Sequence, residues 1–141
     1  MKRLNKLQRA IFYILNFTWG LPMTLIGGLA SLGLIALGKK PVFVPSVTIT
    51  PRFVAYNYWG GVSLGIVTIT QENASRSLVK HEIGHACQNA VYGPFMIFIA
   101  LASCIRYWYR ELFPSKIVTG YDEIWFEGQA TKWGNWLTER W

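Results

Sequence analysis

The chain of 141 residues is 52% hydrophobic and 16% aromatic, and it carries 14 basic against 7 acidic side chains. This composition excludes a disordered chain, a collagen and a charged linker, and the length suits one small domain. The net charge of +7 is unevenly placed, because residues 1–71 hold seven cations and no acid, whereas residues 72–141 hold seven of each. The two halves therefore need separate interpretations.

Residues 1–40 are predicted to anchor the chain in a membrane. A basic leader precedes an uncharged run of 29 residues from Ala10 to Gly38. As one helix this run would extend roughly 44 Å, more than the ~30 Å hydrocarbon core of a bilayer. It predicts either a single tilted span, or an interfacial helix leading into a span or re-entrant hairpin over residues 21–37, with Pro22 and Gly27-Gly28 as the break. A cleaved signal peptide and a buried soluble helix are the alternatives, and the length of the run disfavours both.

The segment from Pro41 to Thr70 is typical of β-structure. Three stretches rich in β-branched and aromatic residues are separated by Pro51 and by Gly60-Gly61, and they are Val42 to Thr50, Arg52 to Tyr58 and Val62 to Thr70. We expect a short antiparallel sheet whose last turn is a hairpin and whose edge is exposed. With the helices before and after it, the sheet predicts an α+β fold.

A helix predicted from about Arg76 to Val91, and ended by Gly93-Pro94, carries the motif HExxH. The motif holds the only two histidines of the chain, His81 and His85. Four residues apart on one helix face, their imidazoles can reach the same metal ion. Glu82 is offset by one position, so it is expected beside the metal, where it can take a proton from the attacking water. Two surface histidines on an amphipathic helix are the alternative.

Two histidines and a water leave a tetrahedral zinc one protein ligand short, and a carboxylate is the expected third ligand. The candidates are Glu111, Asp122, Glu123, Glu127 and Glu139. We favour Glu127, because it borders the apolar stripe of a second helix predicted over residues 121–141. That stripe consists of Phe126, Ala130, Trp133 and Leu137. Glu123, one turn earlier, is the second choice, and a solvated helix charge is the alternative.

The pair of segments His81-Glu82-Ile83-Gly84-His85 and Glu127-Gly-Gln-Ala130 resembles the gluzincin metallopeptidases, whose pattern is HExxH followed by ExxA or ExxxD. The layout resembles the membrane-embedded group of these enzymes, and also small bacterial or phage membrane proteins with such a motif. The resemblance implies a minimal zincin-like core over residues 41–141. In it His81, His85 and Glu127 would bind Zn2+, and Glu82 would be the general base.

One position departs from the pattern of that family. The aspartate of ExxxD hydrogen-bonds a ligand histidine, which fixes its tautomer and raises its basicity. Thr131 stands at that position here. Either its hydroxyl accepts the histidine N–H, or Asp122 substitutes from the start of the helix.

The expected function is that of a membrane-associated zinc metallopeptidase acting on a peptide or protein, in a membrane such as the bacterial inner membrane. Tyr121 is the first choice for a donor to the tetrahedral oxyanion, and Tyr92 the second. An extended substrate could pair with the edge of the strand before the zinc helix. The alternative is a catalytically inactive zinc-binding membrane scaffold or interaction protein.

Residues 94–105 form an uncharged insert that is too short to span a bilayer and is expected to contact the membrane or the core. Cys87 and Cys104 are predicted to be buried free thiols. The cations cluster around apolar runs and no nucleic-acid-binding motif is present, so an anionic lipid surface is the expected partner rather than nucleic acid. The pattern leaves the oligomeric state open.

Overall fold

The structure is a computed structural model that describes residues 2–42, 49–55 and 60–141. Its helices are α1 (Lys6–Phe17), α2 (Leu21–Ala36), α3 (Arg76–Tyr92), α4 (Met96–Leu112) and α5 (Trp125–Arg140). Its strands are β1 (Arg52–Ala55), β2 (Gly61–Leu64) and β3 (Val67–Gln71). Short 3-10 turns occur at Gly93–Phe95, Pro114–Lys116 and Tyr121–Glu123. The expected α+β class is confirmed.

The sheet is mixed, so the prediction of a wholly antiparallel sheet is wrong. Its strand order is β1-β3-β2, in which β1 runs parallel to β3 and β2 runs antiparallel to it. The stretch predicted as one strand over residues 62–70 contains a hairpin, whose turn lies at Gly65 rather than at Gly60-Gly61. Gly65 has a φ of +62°, and a Cβ there would lie 2.5 Å from the backbone of Thr24 in α2. The turn and the close contact with α2 both require glycine.

The first predicted strand, Val42 to Thr50, falls mostly outside the described residues. Within the described part, Val42 forms an isolated bridge to Arg52. Tyr13 of α1 donates a hydrogen bond to the carbonyl of Ile49 at 2.8 Å, which attaches α1 next to the start of the sheet.

The long uncharged run does not form one straight helix. It divides into α1 and α2, whose axes are bent by 81° at the short connection between them. Pro22 lies in the first turn of α2, where its missing N–H leaves no helical hydrogen bond unmade. Gly27 is inside α2 and is pressed against the Leu64 carbonyl, which a Cβ would approach to 2.1 Å. The bent arrangement is therefore the one formed, but its break precedes Pro22 and does not involve Gly27-Gly28.

A buried amide network fastens this bend to α3. The Asn89 side-chain nitrogen donates to Asn16 Oδ1 at 2.8 Å and to the Gly20 carbonyl at 3.0 Å. Thr24 donates to the Asn16 carbonyl at 2.8 Å. Asn16 and Asn89 are both fully buried, where an unpaired polar group would be costly. These hydrogen bonds hold α1 and α2 in one position against α3.

Helices α3 and α5 are in backbone contact. A Cβ on Gly84 would lie 1.8 Å from the Ala130 carbonyl oxygen, and a Cβ on Gly134 would lie 1.8 Å from that of Lys80. Ala130 is itself fully buried at this crossing. Because Gly84, Ala130 and Gly134 leave the backbones free to touch, the face of α3 that carries the histidines meets the face of α5 that carries Glu127.

A single continuous helical stretch among the described residues, Arg76–Leu112, is long and apolar enough to cross a membrane by length and composition. It joins α3 to α4 through the 3-10 turn. Of its most apolar 18 residues, 17% are buried inside the molecule. The uncharged insert of residues 94–105 is thus part of a longer helix than expected. On that helix Cys87 is buried, as predicted, whereas Cys104 is exposed and its predicted burial is wrong.

Candidate metal centre

His81, His85 and Glu127 lie together where α3 crosses α5. Glu127 Oε2 is 3.1 Å from His81 Nε2 and 3.4 Å from His85 Nε2. One ligand atom from each of the three residues lies within 4.8 Å of the others, and the carboxylate is fully buried. The three residues favoured from the sequence therefore form a group that can hold a metal ion.

The helical spacing of the motif sets the positions of the two imidazoles. Helix α3 begins at Arg76 and is capped by Ser75, whose hydroxyl accepts from the Leu78 N–H at 3.1 Å. One turn further on, the rings of His81 and His85 are 4.8 Å apart at their centroids and almost perpendicular. Both rings thus present Nε2 toward the same carboxylate oxygen.

The hydrogen bonds on the far side of His81 fix its tautomer. His81 Nδ1 is 2.7 Å from Thr131 Oγ1, and that hydroxyl donates to Asp122 Oδ2 at 2.8 Å. Because Thr131 has one hydroxyl hydrogen and gives it to a carboxylate, it must accept from His81. Nδ1 therefore carries the proton and Nε2 presents a lone pair. Thr131 and Asp122 act in series where the ExxxD pattern has a single aspartate.

His85 is fixed in the same way by a different residue. Its Nδ1 is 2.7 Å from Gln88 Oε1. The Gln88 amide nitrogen donates to the Phe126 carbonyl at 2.7 Å and to Gln129 Oε1 at 3.0 Å, so the orientation of the amide is defined. Gln88 Oε1 can only accept, which makes His85 Nδ1 the donor and leaves a lone pair on Nε2.

Three electron-rich atoms consequently face one another: two imidazole Nε2 lone pairs and a carboxylate oxygen. Burial by itself would raise the pKa of Glu127, but its interactions with His81 and His85 outweigh burial and lower the pKa well below its ordinary value. This lowering requires a positive partner beside the carboxylate, so the ionised group is accompanied by a cation, either a proton on a histidine Nε2 or a metal ion. Two histidines and one carboxylate are a donor set that Zn2+ accepts, so the residues present fit a zinc ion.

Glu82 has a buried carboxylate beside this group. Only 3% of the residue is exposed, and Oε2 has no hydrogen-bond partner among the described residues. Gly61 of β2 lies against it, since a Cβ there would be 2.8 Å from Glu82 Oε1. Buried carboxylate oxygens are normally paired, so an oxygen without a partner in the described part of the chain is available to a bound group.

Tyr121 lies against the metal group, with its ring centroid 6.3 Å from that of His81. Burial and the negative charge of Glu127 raise the pKa of Tyr121 to about 12, so the phenol stays protonated. Arg106 of α4 holds this segment by donating to the carbonyls of Gly120 and Tyr121 at 3.0 and 3.1 Å. The phenol is therefore neutral, and it also interacts with the Ser103 hydroxyl.

The second-choice residues lie outside the metal group. The Tyr92 hydroxyl donates to Gln129 Oε1 at 2.9 Å, and its ring stacks on Trp133. Glu123 is exposed and accepts from the Gly120 N–H at 2.9 Å, where it caps a 3-10 turn. The structure thus favours Glu127 over Glu123 and Tyr121 over Tyr92.

Sequence reasoning missed two residues of the site, Gln88 and Ser103. Gln88 follows His85 by three positions on α3, a spacing that places it beside the ring and could have indicated it. Ser103 of α4 donates from its hydroxyl to Glu127 Oε1. It is the one hydroxyl-bearing side chain of residues 94–105, which is a weak signal.

No protein-family model, no curated protein and no solved structure matches the chain. The resemblance to gluzincins therefore depends on the HExxH motif and on Glu127 with Ala130, and the likeness covers those residues alone. What the site can do follows from the donor atoms and their hydrogen bonds.

Proposed function

We propose that this protein is a membrane-associated zinc metallopeptidase that hydrolyses peptide bonds. The observation that carries the proposal is the convergence of the His81, His85 and Glu127 donor atoms, with Nδ1 of the two histidines hydrogen-bonded to Thr131 and Gln88. Such outer hydrogen bonds suit metal ligands, because they orient the ring and raise its basicity.

The metal would be held by two histidines on α3 and one carboxylate on α5. Bound there, Zn2+ supplies a Lewis acid that makes water a nucleophile near neutral pH and polarises the scissile carbonyl. A site with three protein ligands keeps a position open, which is characteristic of catalytic rather than structural zinc. The close α3–α5 crossing keeps the ligands in register.

Glu82 is the general base of the proposed reaction. Its unpaired Oε2 accepts the proton of the attacking water and returns it to the departing amine. Tyr121 stays protonated and donates to the developing oxyanion. Neither residue is a metal ligand, so their loss should affect turnover more than metal binding.

The edge of β2 is the proposed place for the substrate backbone. Strand β2 pairs only with β3 among the described residues, which leaves its other edge available for an added strand. Gly61, at the start of β2, lies against Glu82. A peptide on this edge would therefore pass next to the general base, and selectivity for its side chains would be modest.

Membrane association is supported by the apolar surface of the helices. Helix α4 and the residue before it expose a stripe of large apolar side chains, namely Phe95, Phe98, Leu101, Ile105, Trp108 and Leu112. Helix α2 also exposes leucine and isoleucine along its length. Contiguous apolar exposure of this kind marks a membrane or protein contact, and the cations of the acid-free first half favour an anionic lipid surface.

Metal analysis of the detergent-purified chain tests the metal centre. We expect about one equivalent of zinc in wild type and its loss in His81→Ala and Glu127→Ala. Glu123→Ala is the matched control, because that carboxylate caps a turn outside the group and its variant should keep zinc. Less than about half an equivalent in wild type, unchanged in His81→Ala, would refute the metal centre.

Glu82→Gln separates the enzyme from the alternative, an inactive zinc-binding scaffold. The variant should keep zinc and lose hydrolysis of a peptide library presented with lipid, because the amide cannot accept the proton. Hydrolysis that survives in Glu82→Gln contradicts the assigned base. Zinc binding without cleavage in wild type would favour the scaffold, which the fixed ligand tautomers equally allow.

A further inference from the structure

The two oxygens of Glu127 have different partners. Oε2 faces the two histidine Nε2 atoms, at 3.1 and 3.4 Å. Oε1 accepts a hydrogen bond from Ser103, which belongs to neither of the helices that carry the ligands. A third helix, α4, therefore contacts the candidate metal centre directly.

Ser103 lies between two sets of contacts that hold α4 to the rest of the molecule, an apolar one before it and a hydrogen-bonded one after it. Upstream of it, Met96 and Ile99 are the buried residues of α4, and they pack with Phe126 of α5. Downstream, Arg106 holds the segment before α5 through two backbone carbonyls. Ser103 lies between these two attachments, so the hydroxyl is delivered to the carboxylate by contacts on both sides.

The hydrogen bond constrains how the carboxylate can bind a metal. A carboxylate can bind through one oxygen or through both, and a serine has a single hydroxyl hydrogen to give. With that hydrogen on Oε1, one lone pair of Oε1 is engaged, whereas Oε2 accepts nothing from Ser103 and lies near both histidine Nε2 atoms. Ligation through one oxygen leaves a position of a tetrahedral ion open.

We propose that Ser103 is a positioning residue that presents Oε2 of Glu127 to the metal and keeps Oε1 out of the coordination sphere. This inference rests on the proposed metal site. Ser103 itself touches neither metal nor substrate. It acts through Glu127, so its loss should change both the affinity for the metal and the coordination number.

The test compares Ser103→Ala with Ser103→Thr in the full-length protein. Zinc affinity is measured by competition with a chelator, and coordination by the visible absorption of the Co2+-substituted protein. Ser103→Ala should weaken zinc binding about 10–100-fold, the usual effect of losing an outer hydrogen bond to a ligand, and should shift the cobalt spectrum toward higher coordination. Ser103→Thr keeps the hydroxyl and should restore both values.

Ser31→Ala is the matched control, because the Ser31 hydroxyl bonds only to the Gly27 carbonyl inside α2. It should leave zinc affinity and the cobalt spectrum unchanged. Wild-type affinity and spectrum in Ser103→Ala would overturn the proposal. So would a weaker affinity with an unchanged spectrum, since that result indicates a merely structural role. Absence of metal from wild type would instead overturn the proposed function, and this inference with it.

Discussion

Helices α3 and α4 follow one another, and each is 17 residues long. They differ in how many residues they bury and in how polar the buried residues are. Every residue of α3 from Glu82 to Ala90 is buried, including four with polar side chains apart from the cysteine. The more apolar α4 buries Met96 and Ile99 and exposes most of its remaining large side chains. Hydrophobicity alone therefore does not decide which helix is inside.

Hydrogen bonds account for three of these four buried polar side chains, and Glu82, whose Oε2 is unpaired among the described residues, is the exception. His85, Gln88 and Asn89 each have a hydrogen-bond partner, two of them on other helices. A buried polar group with its bonds made costs little, whereas an unpaired one costs about 1–3 kcal/mol. Helix α4 has few such groups and an apolar outer face, which is consistent with the proposed membrane contact.

Among changes to the buried helix α3, Gly84→Ala should reduce stability the most. The new methyl group would meet the Ala130 carbonyl, which cannot move unless α3 and α5 separate. We expect a loss of about 3 kcal/mol or more in the free energy of unfolding, together with loss of metal binding, because overpacking a backbone contact has no cheap relaxation. Denaturant unfolding in detergent measures the first quantity and chelator competition the second.

Gly33→Ala is the control for this change. Gly33 lies in α2, and a Cβ there would meet no atom within 4 Å. Since alanine favours helix over glycine by about 0.8–1 kcal/mol, the control should be neutral or slightly stabilising. Equal destabilisation by the two variants would contradict the tight crossing.

Asn89→Ala should have the next largest effect. It removes the donor to Asn16 Oδ1 and to the Gly20 carbonyl, of which Gly20 still accepts from the Thr24 N–H, so the buried Asn16 oxygen loses its partner. A loss of about 2–3 kcal/mol is expected, with increased protease sensitivity of the α1–α2 connection. Asn135→Ala on α5 is the control, because the Asn135 side chain makes no hydrogen bond among the described residues. If Asn89→Ala changed the free energy of unfolding as little as Asn135→Ala, the buried amide network would not be what fastens the α1–α2 bend to α3.

Removal of the metal should lower the stability of the protein, because the ligands lie on both α3 and α5 and the metal would join the two helices. A ligand at 100 times its dissociation constant stabilises the folded state by about 2.7 kcal/mol, so a chelator should reduce Tm by roughly 5–10 °C. Differential scanning fluorimetry with and without zinc measures the shift. His81→Ala should start at the lower Tm and show no response to zinc, and a zinc response in that variant would place the ion elsewhere.

The smallest effect on the fold should come from the outer face of α4. Replacing Phe98, Leu101 and Ile105 with glutamine changes exposed side chains, so unfolding should shift by no more than about 0.5 kcal/mol per residue. Binding to anionic vesicles should fall at least about tenfold in a flotation assay, because buried apolar area is lost. Unchanged vesicle binding would mean that this face does not contact lipid.

Features that depend on one local sequence pattern, such as the bounds of α3, could be predicted from the sequence. The start of α3 at Arg76 and its end next to Gly93 follow from a cap and a helix-ending glycine. The choice of Glu127 followed from its place beside an apolar stripe, and the structure brings it to His81 and His85. Both inferences use contacts within one helix or a single helix face.

The mismatches involve contacts between distant segments. Gly65 looks like a strand residue in an alternating run, and its role as a turn depends on Thr24 of α2. The parallel pairing of β1 with β3 has no local signature. Ser103 reaches Glu127 only because of the way α4 docks, and no spacing rule connects two residues on separate helices.

The buried amide network around Asn89 also has a consequence for the order in which the chain is synthesised. Asn16 is synthesised 73 residues before the amide that binds it, and Gly20 precedes it by 69. Helices α1 and α2 therefore leave the ribosome with buried-type polar groups unpaired and apolar faces exposed. Until α3 emerges, these faces are an aggregation hazard, which the proposed membrane contact would reduce if it forms during translation.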